Sequence, residues 1–339
     1  MSLRSSTLAA ALLSFSALLP AGSAAVAADM PVKAVKHIID VPFFMVNDNR
    51  ITYSYQFTAT DPGVPGKTAK QVYSFTHFDV WAYGTNFFTI DMLKSDHNDP
   101  AVPCGLVAGV TGCAGATEFY GLFRSTLGFN ELFNTKQFSA GPLRNVSFYF
   151  GADFNTENNA VAPAKRSVVA GLQFAFNLPY KGYFNVSPVY YNEFSNHNSF
   201  LMPAFNGGIG IPDGNTQFRG TWAVETNYYM DLGFLPDYLP LSISGRAAWY
   251  GPKGQGTSIA IPGNLNTATE FNSEPIRLTL DASKMMWGPK YSHHLDVWVA
   301  YRYWQNKFGL DHKNSPVCTG ANSGSCTEQS LSSGVSVKF

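Results

Sequence analysis

The sequence predicts an all-β protein, a transmembrane, antiparallel, up-and-down β-barrel of about 12 strands that acts as a monomer. Apolar side chains recur at every second position in many segments of about ten residues. The last segment, 330–339, alternates in this way and ends the chain on Phe339. The chain also begins with a secretory signal. Together these features indicate a protein of the Gram-negative outer membrane.

Residues 1–28 are predicted to be a cleaved signal peptide. Arg4 precedes an apolar run from Leu8 to Leu19, and small residues follow up to Ala28. The apolar run is shorter than the roughly 20 residues that a membrane-spanning helix needs. We expect residues 29–48 to form a periplasmic N-terminal segment and residues 49–339 to form the barrel.

Composition fits a barrel wall and argues against nucleic-acid binding. Aromatic residues make up 15% of the chain and charged residues 14%, with a mean hydropathy of −0.07. Removing Arg4 with the signal leaves 22 basic and 23 acidic residues. Without a concentrated basic stripe, a nucleic-acid partner is not expected.

About twelve strands account for the alternating segments. Their predicted bounds are 49–60, 70–83, 86–94, 116–129, 145–154, 166–177, 182–193, 217–230, 240–250, 274–286, 293–305 and 329–339. Connections after odd-numbered strands are mostly long and polar, which predicts that they face the outside and that both termini are periplasmic. Segment 130–144 is long for a periplasmic turn, and we expect a short helix there before the turn at Gly141-Pro142.

The four cysteines fall in two predicted external loops. Cys104 and Cys113 form one sequence-local pair, and Cys318 and Cys326 form another. Four cysteines allow three connectivities, and the oxidising periplasm favours the two local disulfides. The spacing is atypical of structural zinc sites, so neither a metal nor a cofactor is predicted.

The direction of each side chain follows from the apolar face of its strand, because successive residues point to opposite sides. The predicted lumen-lining residues are Tyr73, Phe75, His77, Asp79, Trp81, Tyr83, Glu118, Tyr120, Arg124, Tyr149, Asp153, Glu225, Arg246, Arg277, Asp281, Asp296, Trp298, Arg302 and Trp304. Phe78, Val80 and Ala82 are expected to face lipid. Acids and bases are nearly balanced in this set, which favours a neutral polar solute over an ion. Aromatic rings could stack on a flat heterocycle.

Two segments carry a family resemblance. Residues Ala116–Phe154 (ATEFYGLFRSTLGFNELFNTKQFSAGPLRNVSFYFGADF) and His293–Gly309 (HHLDVWVAYRYWQNKFG) resemble the nucleoside-specific channel-forming (Tsx-like) family of outer-membrane proteins. The resemblance implies a monomeric 12-stranded barrel that passes nucleosides by diffusion and, in some members, serves as a phage or colicin receptor. Resemblance to other bacterial barrels also implies that the assembly machinery recognises Phe339.

Other interpretations of the sequence stay open. A general or other-solute porin needs only the barrel, and a receptor or adhesion barrel would act through its disulfide-bearing loops. An outer-membrane enzyme would need a catalytic relay, and the inward His77 and Asp79 lie side by side on one strand, so an enzyme is not predicted. A soluble β-sandwich would leave its aromatic outer faces uncovered.

Overall fold

The computed structural model describes residues 43–96, 99, 115–157, 164–197, 215–216, 218–253 and 268–339. The predicted signal peptide, Cys104 and Cys113 lie outside these residues. The strands are β1 (Phe44–Asp61), β2 (Val64–Trp81), β3 (Gly84–Ser95), β4 (Thr117–Gly128), β5 (Leu143–Glu157), β6 (Ala164–Asn177), β7 (Tyr183–His197), β8 (Asn215–Thr216), β9 (Thr221–Asp231), β10 (Leu241–Tyr250), β11 (Glu270–Asp281), β12 (Leu295–Gln305) and β13 (Thr327–Lys338). The helices are α1 (Phe129–Leu132) and α2 (Ala282–Trp287), with short 3-10 turns beside them.

Twelve strands close into one antiparallel barrel. Each strand pairs with its neighbours in the order β6-β5-β4-β3-β2-β1-β13-β12-β11-β10-β9-β7, and pairing of β6 with β7 completes the ring. The chain ends meet where β1 pairs with β13, from Arg50 opposite Lys338 to Gln56 opposite Ser332. The two-residue β8 pairs only with the end of β7 and adds no strand to the wall. The predicted fold class, a closed antiparallel barrel of twelve strands, is confirmed.

The two ends of the barrel differ in their connections. One end, which we call the loop end, carries connections 62–63, 96–116, 158–163, 198–220, 251–269 and 306–326. The other, the terminal end, carries Phe44, Lys338 and connections 82–83, 129–142, 178–182, 232–240 and 282–294. The segment that carries Cys318 and Cys326 therefore lies at the loop end, as the alternating loop lengths predict.

Alternate residues of each strand point away from the lumen, and many of these outward residues are apolar. On β12, Val297, Val299 and Tyr301 are exposed, while the intervening residues are buried or half-buried. Leu331 and Val335 continue this surface on β13. Within the described residues, no helix is both long and apolar enough to cross a membrane.

Strand bounds differ from the predicted ones by four residues or more at several places, and β2 begins at Val64, six residues before its predicted start. β1 begins at Phe44, within the segment expected to precede the barrel. β11 ends at Asp281, so the predicted strand 274–286 is wrong in its last five residues, which form most of α2 instead. The Asp281 side chain accepts a hydrogen bond from the Lys284 amide at 2.8 Å and so caps the helix.

The predicted short helix within segment 130–144 is present one residue earlier, as α1. It begins at Phe129, whose ring packs against Phe133 and Phe138. Gly141 has a φ of 52°, and this left-handed turn brings Ala140 opposite Leu143 at the start of β5. The long turn is thus held by a small aromatic cluster, and the left-handed conformation of Gly141 leads the chain back into β5.

The β12–β13 connection folds over the rim at the loop end. Cys318 and Cys326 form a disulfide, which confirms this predicted pair. Both cysteines pack with the buried Leu310 in a small core. The loop also contacts the β1–β2 turn, where the Gly63 amide donates to the Ser325 hydroxyl at 3.1 Å. The disulfide-bearing loop is therefore held against the β1–β2 turn, on the other side of the β1–β13 pairing.

Candidate functional site: the barrel lumen

Contacts between strands that are not neighbours in the wall identify the inner face. Arg124 of β4 contacts Glu225 of β9, and Arg50 of β1 contacts Asp296 of β12. Such side chains can meet only through the interior. Residues opposite one another in register share a face, so the assignment extends around the ring. The predicted lining residues that lie on the inner face are Glu118, Tyr120, Arg124, Tyr149, Asp153, Glu225, Arg246, Arg277, Asp281, Asp296, Trp298, Arg302 and Trp304.

The predicted orientation of β2 is wrong. Phe78 lies opposite Phe87, which lies opposite the inward Arg124. The even-numbered residues of β2, including Phe78 and Val80, therefore face the lumen. The predicted aromatic column lies on the outer face instead, with Tyr83 in the following turn: Tyr73, Phe75, His77, Asp79 and Trp81. Tyr73 is 42% exposed and Phe75 38% exposed, as outward rings should be.

Part of that outer face is a polar ladder, which we define as Asn49, His77, Asp79, Asn86 and Ser125. His77 contacts Asn49 through Nδ1 at 2.8 Å and Asp79 through Nε2 at 3.0 Å. The Asn86 amide donates to Asp79 at 3.0 Å and accepts from the Ser125 hydroxyl at 2.7 Å. The ladder crosses four strands at the terminal end. It satisfies the Asp79 carboxylate, which is only 3% exposed, from within the wall.

A buried ionic network fills the lumen beside β4, β5 and β9. Arg124 binds Glu225 through two nitrogens, at 2.8 and 2.7 Å, and Asp153 through two more contacts at 3.0 and 3.2 Å. Tyr149 donates to Glu225 at 2.6 Å and Tyr250 donates at 3.3 Å. The sequence placed these residues inside the barrel, but it could not show that one arginine joins two carboxylates on different strands.

A second contact spans the full width of the barrel. β3 and β10 are six strands apart in the ring of twelve, so they face each other directly. The Arg246 guanidinium of β10 lies 5.9 Å from the ring centre of Phe87 on β3. These two side chains divide the lumen cross-section into two lobes. Phe87 was not among the predicted lining residues, because the reversed orientation of β2 concealed the inner face of β3.

The lobe beside β5, β6 and β7 is packed. Tyr149, Val169, Val189 and Tyr191 form one buried cluster with Ala223 of β9. Along these strands nearly every inner side chain is buried. This lobe is a core of the barrel and offers little room for a solute.

The other lobe is the accessible part of the lumen. Its inner face carries half-buried residues, mainly on β2, β3 and around Arg277, although inner residues of β1, β12 and β13 such as Ser54, Trp298 and Ser330 are buried. The half-buried lining residues are Val72, Ser74, Thr76, Thr89, Asp91, Ser244, Arg246, Arg277, Arg302 and Ser332. We call this set the accessible lobe. A solute that crosses the barrel would pass along these hydroxyl groups and arginines.

Two networks near the loop end involve charged residues that sequence reasoning missed. Lys253, just after β10, contacts Glu193 at 2.8 Å and Glu270 at 3.1 Å. Lys307, just after β12, contacts Glu328 at 2.7 Å. All of these groups are buried, although both lysines follow the last residue of a strand. Their position at strand ends is the only sequence signal, and it does not distinguish an inward from a solvated lysine.

A third network lies at the terminal end. Asp296 accepts from Arg50 at 2.7 Å and lies 3.0 Å from His293 Nδ1. The other ring nitrogen of His293 lies 3.2 Å from the Tyr229 hydroxyl, which donates to Asp231 at 2.5 Å. Both ring nitrogens thus face acceptors, as in a doubly protonated ring. The hydrogen bond to Asp296 raises the pKa of His293 in spite of burial.

The same region contains the one group of possible metal ligands among the described residues. Ligand atoms of Asp281, His293 and Asp296 lie within 4.8 Å of one another. Asp281 already accepts from the Lys284 amide and the Ser292 hydroxyl, and Asp296 is paired with Arg50. A cation would have to displace these donors. The network is better described as an ionic support for the barrel mouth.

The inward tryptophans are covered by cations. The Arg277 guanidinium lies 4.0 Å from the Trp298 ring centre. Arg302 and Lys307 lie 4.6 and 4.5 Å from the Trp304 ring centre. These are cation–π contacts, and they occupy ring faces that the sequence assigned to heterocycle stacking.

Comparisons with known proteins show no sequence relative. No family model matches the chain, and no curated protein matches it. An outer-membrane channel from Pseudomonas putida F1 is 10% identical with a TM-score of 0.45, covering 88% of this chain and 98% of that chain. The translocator domain of the autotransporter NalP from Neisseria meningitidis is 12% identical with a TM-score of 0.37, covering 86% and 88%.

A third solved structure, OccK11 (OpdR) of Pseudomonas aeruginosa, is 8% identical with a TM-score of 0.30, covering 86% of this chain and 94% of that chain. At these values the likeness carries no argument about function. The fold rests on the strand pairing described above, and function is argued from the lumen.

Proposed function

We propose that this protein is a monomeric outer-membrane channel through which small polar solutes diffuse passively. The observation that carries the proposal is the accessible lobe, a polar, half-buried strip inside a closed barrel. A structural barrel would fill both lobes as it fills the lobe beside β5 to β7.

The outer surface supports the membrane assignment. Exposed apolar side chains such as Phe148, Leu172, Tyr190 and Val299 stand on strands all around the ring. Soluble monomers rarely expose contiguous apolar patches beyond a few hundred Å². The wall strands have 10 to 18 residues, and a tilted membrane strand needs about 9 to 11. A bilayer is the environment that such a surface fits.

Nucleosides are the permeants that we propose within this class. The family resemblance of the sequence implies them, and the accessible lobe combines hydroxyl groups with half-buried arginines and Phe87. The outward β2 rings contribute nothing to this recognition. Nucleoside selectivity therefore depends on the side chains that surround Arg246 and Arg277.

Planar-bilayer recording of the refolded mature chain tests the proposal. Adenosine, thymidine, glucose and free adenine are titrated against the single-channel current. Block by the nucleosides, without block by glucose, supports a nucleoside channel. Conductance that no solute alters leaves a general porin, and the absence of conductance from a correctly folded barrel would reject the channel function itself.

A matched pair of variants locates the pathway. Thr76→Phe places a large ring on the inner face of β2 and should reduce conductance. Thr226→Phe places the same ring on the outer face of β9 and should leave conductance unchanged. Equal effects of the two substitutions would show that the accessible lobe is not the path.

A further inference from the structure

Several inner acids are buried within ionic networks. The inner acids Glu225, Glu193 and Glu328 are each 3% exposed or less. Each is paired with a cation in one of the buried networks. Each network places its acids close to a cation, but Arg124 is shared by Glu225 and Asp153 and Lys253 by Glu193 and Glu270, so acids outnumber cations there.

The accessible lobe instead presents arginines from three consecutive strands. Arg246, Arg277 and Arg302 are half-buried on β10, β11 and β12. Arg302 lies 3.8 Å from the buried Glu328. Asp91 of β3 is the half-buried acid in this lobe. Three half-buried arginines thus lie on neighbouring strands on this side of the lumen.

Arg277 stands apart from the other inner cations. Its guanidinium stacks on Trp298 at 4.0 Å, but within the described residues it forms no ion pair or hydrogen bond with a carboxylate. Asp91 and Asp296 attract it only at longer range, and Arg50 repels it. Arg124, by comparison, satisfies two carboxylates. Arg277 thus keeps N–H donors that no carboxylate of the described residues occupies, and these can bind an anionic ligand.

The surroundings of Arg277 suit such a ligand. An arginine stacked on an aromatic ring keeps its N–H donors in the plane of the guanidinium, where they match the two oxygens of a carboxylate or phosphate. Its register partners, Ser244 and Ala300, are small. Ser332 lies opposite Ala300 and adds a hydroxyl group on the same level.

We propose that Arg277, backed by Trp298, is an oxyanion-binding site that makes the channel select anionic solutes. The anion preference rests on the proposed channel function, whereas the binding site itself does not. The ligand class is a small molecule with a carboxylate or phosphate group, which includes phosphorylated nucleosides.

Ion selectivity gives the first test. Reversal potentials are measured across a planar bilayer with a KCl gradient for the native protein, Arg277→Gln and Arg277→Lys. The native channel should prefer chloride, and Arg277→Gln should lower the chloride-to-potassium permeability ratio by about threefold or more because one lumen charge is lost. Arg277→Lys should retain most of the preference. Arg166→Gln, which removes the same charge from the exposed outer face of β6, is the matched control.

Direct binding gives a second test that does not require a current. Inorganic phosphate and succinate are titrated calorimetrically into the folded barrel in detergent. Arg277→Gln should weaken binding about tenfold, while Arg277→Lys should weaken it less, because only arginine offers the bidentate donor pair. Folding of each variant is checked by the resistance of the barrel to SDS without heating.

The outcomes separate the two proposals. A conducting channel that shows no anion preference and no binding loss in Arg277→Gln rejects the oxyanion site and leaves the channel intact. A folded barrel that does not conduct, yet loses phosphate or succinate binding in Arg277→Gln, rejects the channel and keeps the site. If Arg166→Gln and Arg277→Gln behave alike, the effect is one of overall charge and the site is rejected.

Discussion

The Arg246 guanidinium and the Phe87 ring meet 5.9 Å apart from opposite walls of the barrel. Their strands, β10 and β3, are separated by half the circumference. The contact stands between a packed lobe and a half-accessible one. One residue pair thus bridges the lumen from wall to wall.

Arg246→Ala should widen the passage. Loss of the long side chain opens space between β10 and β3, and single-channel conductance should rise roughly twofold where this section limits current. Planar-bilayer recording measures the change. Arg166→Ala, an exposed arginine on the outer face of β6, provides the comparison. Unchanged conductance in Arg246→Ala would mean that the narrowest section lies elsewhere.

Arg124→Met should destabilise the barrel strongly. The substitution leaves the Glu225 and Asp153 carboxylates buried without their cation, and breaking such a pair costs about 3–5 kcal/mol. Urea unfolding of the refolded protein, followed by tryptophan fluorescence, measures the loss. The double variant Arg124→Met/Glu225→Gln should recover part of it, because one of the two stranded charges is removed. A native midpoint for Arg124→Met would show that the network adds nothing to stability.

The sequence predicted the wall better than it predicted the contents of the lumen. Period-two alternation located all twelve strands, since burial on one face leaves this pattern on any strand. It did not orient β2, where the odd positions from Tyr73 and the even positions up to Val80 both mix apolar and polar side chains. The register with β3 and β4 decides that orientation, and register is not visible in one strand.

Ion pairs between residues that are distant in the chain could also not be predicted from the sequence. Lys253 and Glu193 are far apart in the chain and meet because β10 and β7 lie on either side of β9. The end of β11 was missed for a local reason, since Asp281 serves as a helix cap while the apolar pattern continues into α2. Capping competes with strand continuation, and alternation alone cannot separate the two.

The polar ladder on the outer face predicts separate effects on stability and conductance. Asp79→Ala removes the acceptor of His77 and Asn86, so it should lower the unfolding free energy by about 1–3 kcal/mol while leaving conductance unchanged. Trp81→Ala should likewise leave solute block unchanged, because Trp81 points outward. Urea midpoints and bilayer currents are measured on the same preparations. Weaker nucleoside block in Trp81→Ala would place β2 in the opposite orientation.

His293 should make the terminal end sensitive to pH. Its hydrogen bond to Asp296 raises its pKa above the ordinary value of about 6.5, so the folded protein binds this proton more tightly than the unfolded chain does. The stabilisation is therefore complete below about pH 6.5 and is lost as pH rises through the raised value.

His293→Asn keeps a residue that tolerates the observed φ of 60° but cannot carry the charge. The difference in urea midpoint between native protein and variant should be larger at about pH 5 than at about pH 9. Asp281, Asp296, Arg50 and Tyr229 face the ring, and a pH-independent difference would show that His293 contributes only packing.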